Sequence, residues 1–110
     1  MTSNAIELEP LYSSLASDPM LAEIVDMFVE EMPARVETLR RHHQNGDLEG
    51  LRTTAHQLKG AAGSYGFDTI SPCAAELENA IRNEDSSEAI DRALTRLVDL
   101  CGRVSGGQGD

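Results

Sequence analysis

The stretch TTAHQLKGAAGSYGF, Thr53 to Phe67, reads as a helix with an unusual outer face. Its apolar residues Ala55, Leu58, Ala62 and Tyr65 continue a stripe begun by Leu48 and Leu51 at helical spacing. It also carries a lone histidine, a lysine three residues later, and then Gly60, Gly63 and Gly66. Glycine in a helix interior costs about 1 kcal/mol relative to alanine. The glycines are wasteful unless something must come close to that surface.

Similar stripes lie on both sides of this helix. Asp18-Pro19 is a helix start, with Asp as cap and Pro in the first turn. Leu21, Ile24, Val25, Phe28, Val29 and Met32 follow at helical spacing. Pro33 predicts a kink or break near Met32, because its ring and missing N–H disturb the preceding turn. Periodicity resumes at Val36 and Leu39, and Asn45-Gly46 reads as a stop. Asp47 caps the central helix and Gly66 closes it. Asp68 or Ser71 starts the next helix, with Pro72 in its first turn and a stripe of Ile70, Ala74, Leu77 and Ile81. Asp85 and Glu88 resemble a capping box before a last helix through Ile90, Leu94, Leu97, Val98 and Cys101.

Four amphipathic helices joined by short loops predict an all-α, antiparallel up-down-up-down four-helix bundle. Residues 18–104 form this unit in the sequence reading. Residues 1–17 are an N-terminal arm or short helix, and residues 105–110 a flexible tail. No convincing strand or internal repeat is visible. One domain also fits the length of 110 residues. Aromatics are 4% and tryptophan is absent, so the core rests on Leu, Ile, Val, Ala and Met. That composition suits helices better than a sheet.

The net charge of −10 disfavours nucleic acid and anionic membranes as partners. No apolar run approaches the roughly 20 residues of a membrane span, and the start, MTSNAIELEP, is unlike a signal peptide. A cytoplasmic monomer is expected. Cys73 and Cys101 fall on apolar stripes and read as buried free thiols, and no close-spaced Cys/His pairs indicate a metal site.

On the central helix, His56 lies opposite the apolar stripe and points to solvent. Arg52, Lys59, Gly60 and Gly63 share its face, since neighbours at i−4, i+3, i+4 and i+7 stack. Cations beside an exposed imidazole neutralise an incoming anion, and residues without side chains let a partner approach. A neutral imidazole is nucleophilic. These are the requirements of a histidine that accepts a phosphoryl group from a docked donor. A solvated histidine, with glycines that serve helix packing, is the plainer alternative.

AHQLKGAAGSYGF resembles the signature of histidine-containing phosphotransfer (HPt) domains, through His56, Leu58, Lys59, Gly60, Ala61, Ala62 and Gly66. The Met27–Val36 segment with its proline, the NGDLEGL turn and AAELENAI resemble the family's flanking helices, so the likeness covers residues 18–101. The resemblance implies a four-helix bundle and a relay. A receiver-domain phosphoaspartate donates to His56, which passes the group to another receiver. It implies Lys59 as the cation on the phosphoryl group and Gly60 as the space for it. Glu78 lies where the family often has Gln or Glu near the imidazole; it orients the ring or is a surface carboxylate. The implied partners are response-regulator receiver domains and a hybrid histidine kinase.

The chain lacks a phosphate-binding loop, an ATP-binding domain and a receiver's acidic cluster. It is therefore expected to be a phosphocarrier rather than an enzyme, with no cofactor of its own and Mg²⁺ on the partner receiver. A separate relay protein and a domain excised from a hybrid kinase read the same. Two other readings stay open: a docking module that binds a receiver without chemistry, and a structural bundle dimer. Adjacent His42 and His43 point about 100° apart on a helix, so they read as a solvated helix end, like Arg40 and Arg41. Glu30, Glu31, Glu76, Glu78, Glu84 and Asp85 read most simply as solvated faces.

Overall fold

Caps and left-handed stops divide the chain into four helices in a computed structural model that describes residues 10–105. They are α1 (Pro19–Gln44), α2 (Leu48–Ser64), α3 (Ile70–Arg82) and α4 (Ser87–Cys101). Two short strands, β1 (Leu11–Tyr12) and β2 (Val104–Ser105), flank them. Asp18 accepts from the Met20 N–H, Asp47 from Gly50 and Ser86 from Ala89, so three helices start on a side-chain cap. Three helices end alike. After α1 and α2, Gly46 and Gly66 adopt φ of +70° and +83°. The following N–H groups then fold back, Asp47 to the His42 carbonyl and Phe67 to that of Ala62, each at 2.9 Å. After α3 the same turn is made by Glu84, a non-glycine residue at φ 57°.

The core is continuous across all four helices. Phe28 and Met32 of α1, Leu51 and Leu58 of α2, Leu77 of α3 and Leu97 of α4 are all buried in it. The Phe28 ring stacks on Tyr65 and Phe67 at centroid distances of 5.0 and 5.4 Å, so α1 is fixed against the end of α2. Lys59 and Ser71 meet across α2 and α3, as do His56 and Glu78, so these two helices run in opposite senses.

Five local expectations are corrected. Of the kink or break expected near Met32, the break does not occur: α1 runs through Pro33, with Phe28 and Met32 before it and Leu39 after it buried on one core, and that packing outweighs one missing backbone bond. α3 starts after Thr69 without a side-chain cap; the Ser71 hydroxyl instead donates to the Lys59 carbonyl at 3.0 Å. The cap of α4 is Ser86 rather than Asp85, which is used by the left-handed turn. Residues 10–17 form β1 and turns, not a helix. Pro10 cannot donate, and the Ser13 hydroxyl reaches the Tyr65 carbonyl at 2.5 Å. β1 pairs in parallel with β2, Leu11 opposite Val104 and Tyr12 opposite Ser105, so Ser105 belongs to a strand. The rest of the arm (residues 1–9) and of the tail (residues 106–110) lies outside the described residues.

Gly66 also admits the N-terminal segment. A Cβ there would stand 2.5 Å from the Ser13 Oγ and 2.9 Å from the Ser14 Oγ. Gly66→Ala is therefore expected to lower stability by about 1–3 kcal/mol. Glu84→Gly, at a matching turn, is expected to raise it by about 0.5–1 kcal/mol. Urea denaturation of the two variants beside the wild type checks both signs.

Candidate functional site

α2 buries Leu51, Ala55, Leu58 and Ala62, which turns His56 outward. Its side chain is 62% exposed. The neighbouring α3 supplies the group beneath it. Glu78 follows Ala74 by four residues and precedes Ile81 by three, so it sits on the apolar stripe of α3 and is only 2% exposed. It is not a surface carboxylate.

Both oxygens of Glu78 are engaged. The Lys59 Nζ donates to Oε1 at 2.9 Å. The His56 Nδ1 lies 2.9 Å from Oε2, and an Arg82 guanidinium nitrogen donates to the same oxygen at 3.0 Å. The Lys59 hydrogen bond, helped by His56, holds the Glu78 carboxyl below the usual carboxylate range against the opposing effect of burial. An ionised carboxylate only accepts. His56 therefore carries a proton on Nδ1, and Nε2 is the ring nitrogen that Glu78 leaves unengaged.

The other sequence candidates fall into two groups. Lys59 is in the cluster. A Cβ on Gly60 would meet nothing within 4 Å, so no packing among the described residues calls for glycine there. Gly63 is exposed but borders α3, where a Cβ would lie 3.6 Å from the Ser71 Oγ. Arg52 is half-buried one turn before His56 and makes none of the bonds to Glu78. Arg82 is the member that sequence reasoning missed. Its signal was the i, i+4 spacing from Glu78, which means little until Glu78 is known to be buried.

His42 and His43 diverge as expected but are not simply solvated. His42 Nδ1 lies 3.1 Å from the Asp47 carboxylate and His43 Nε2 2.7 Å from that of Asp91 on α4. Cys101 is buried, and burial pushes its thiol up to about 12. Cys73 is half-buried rather than buried, and burial raises its thiol too. Neither is an activated nucleophile. Among the described residues no helix is long and apolar enough to cross a membrane.

The family model described as the Hpt domain matches residues 23–107 of the chain. No curated protein and no solved structure gives a significant match.

The depressed carboxyl of Glu78 gives stability a pH dependence of definite sign. Its contribution is full above the unfolded carboxylate value of ~4.3 and is lost as pH falls through the lower folded value. Glu78→Gln is expected to cost about 1–3 kcal/mol near neutral pH, and the gap from wild type should close on acidification. Urea titrations in buffers from neutral to strongly acidic pH check this; a gap that stays constant contradicts it.

Proposed function

The chain belongs to the Hpt domain family, whose work is histidine phosphotransfer in phosphorelays, and we propose that His56 is its phosphoacceptor. The observation that carries the proposal is an exposed imidazole whose Nδ1 is held by a buried, ionised Glu78, with Nε2 free.

In the forward step the Nε2 lone pair attacks the phosphorus of a receiver domain's aspartyl phosphate. An N–P bond forms, the P–O bond to the aspartate breaks, and the carboxylate leaves. The ring gains positive charge, and Glu78 stabilises it through Nδ1–H. Neutral imidazole is then the leaving group when the phosphoryl group passes to the aspartate of a second receiver. Lys59, half-exposed beside the ring, supplies positive charge to the phosphoryl oxygens. Arg82 helps keep Glu78 charged. Gly60 leaves the surface bare where the donor arrives, with Gly63 extending that surface and Arg52 adding charge one turn away.

The chain acts as a carrier rather than an enzyme in this reading. It takes no cofactor, and Mg²⁺ belongs to the partner receiver. It works as a cytoplasmic monomer, between receiver domains and a hybrid histidine kinase.

Incubation with phosphorylated receiver domains is expected to give acid-labile, alkali-stable label on the wild type and none on His56→Gln. Gly60→Gln should fold normally, because the space there is open, yet lose transfer by about tenfold or more. Binding to receivers without any label would favour a docking module and end the carrier reading.

A further inference from the structure

α1 and α4 leave an apolar groove between them. Val29 and Val36 of α1 line it with Val98 of α4 and Val104 of β2, and all four are only half-buried. Buried Met32 and Cys101 lie at its base. Contiguous apolar surface of this kind marks a contact site. His43 of α1 meets Asp91 of α4, so these two helices are neighbours and the ring of four is closed. The groove therefore lies across the bundle from the α2–α3 seam that holds His56 and Glu78.

Direction, sequence pattern and charge point to what covers it. β1 pairs in parallel with β2, and the Leu11 N–H donates to the Arg103 carbonyl at 2.6 Å. Traced backwards from Leu11, the chain heads the same way as the chain traced backwards from Val104, towards Gly102 and Cys101 on the groove. The nine residues before Pro10 can reach about 30 Å when extended, whereas the groove along α1, from Val29 to Arg40, is about 16 Å long. Ile6-Glu7-Leu8-Glu9 alternates apolar and acidic residues. A residue before proline is steered to extended backbone, and in that conformation Ile6 and Leu8 share one face and Glu7 and Glu9 the other. A cation stands at each end of the groove. Arg40 lines one end, while Arg103 is in the turn between Gly102 and Val104 at the other. The Arg103 Nε is buried and has no acceptor among the described residues, a costly state that calls for one. The tail after β2, GGQGD, has no apolar side chain to offer, and the parallel pairing sends it the opposite way.

We propose that the chain's own residues 6–9 fill the groove between α1 and α4. Ile6 and Leu8 seat on Val29, Val36 and Val98, Glu9 accepts from Arg103, and Glu7 faces Arg40. The segment then closes the one side of the helix ring that α1 and α4 leave open, and the β1–β2 pair is the anchor from which it is laid down. This is an intramolecular contact that stands apart from the phosphotransfer reading, because it lies across the bundle from His56.

The direct test places the photo-crosslinker benzoylphenylalanine at position 8 of the full chain. Irradiation is expected to give adducts within one chain, on residues 29–40 of α1 or 98–104 at the end of α4. Adducts on α2 or α3, or none, overturn the proposal. Adducts between two chains assign the groove to a second copy and also overturn it. Stability gives an independent reading. Ile6→Asp with Leu8→Asp is expected to raise the unfolding equilibrium constant by about tenfold or more in urea titrations, and an unchanged constant contradicts the seating of these side chains. In a cycle of Glu9→Gln and Arg103→Gln, the double variant should lose no more than Arg103→Gln alone; losses that simply add remove Glu9 from Arg103.

Discussion

A carboxylate buried between helices is unstable unless donors meet its charge, and the arrangement around His56 depends on how Glu78 satisfies that need. An ammonium, a guanidinium and an imidazole N–H converge on its two oxygens. Lys59 and His56 come from α2, while Arg82 shares α3 with Glu78. The two helices therefore cannot slide past each other without leaving a buried charge unpaired, which is far more costly than losing a surface ion pair. Ser71, bonded to the Lys59 carbonyl, fixes the same pair of helices nearer the loop. Charge pairing, not packing alone, sets which nitrogen of His56 meets solvent.

The end of α2 has a second anchor. The left-handed turn at Gly66 releases Phe67 into the core, where it stacks with Phe28 of α1. Gly66 also accepts from the Ser14 N–H at 3.0 Å, and Ser13 reaches Tyr65. The helix that bears His56 is thus held at its C-terminal end by α1 and by the segment before it. Its middle is held by α3. On its outer face, a Cβ at Gly60 would meet nothing within 4 Å among the described residues, which leaves that face open to an approach from outside.

Much of this was legible in the sequence, for physical reasons that can be named. The 3.6-residue period put His56 opposite Ala55, Leu58 and Ala62, and it did so without any tertiary information. Asp18, Asp47, Gly46 and Gly66 announced helix ends because caps and left-handed stops are local chemistry. The fate of Glu78 was not local. Whether a carboxylate on a stripe is buried depends on which cations the next helix brings, so both its burial and the role of Arg82 waited for the fold. Pro33 does not end α1 because its penalty is local, whereas the packing of Phe28, Met32 and Leu39 on either side of it is tertiary. For residues 10–17 the sequence left an arm and a short helix both open. Their apolar spacing is weakly helical, and their conformation is set by Tyr65, Gly66 and Val104, more than 50 residues away in the chain for the nearest of these.

The pairing of β1 with β2 has a consequence for how the bundle connects to anything else. Because Leu11 lies opposite Val104, the chain enters and leaves the helical unit within one two-residue strand pair. The four helices form a loop closed at its neck. Material attached before residue 10 and after residue 105 starts from neighbouring points, so the unit can be spliced into a longer polypeptide without its ends being drawn apart. A tag or domain at either end puts its first strain on the backbone bond from Leu11 to the Arg103 carbonyl. The salt-bridged seam of α2 and α3 lies beyond that neck.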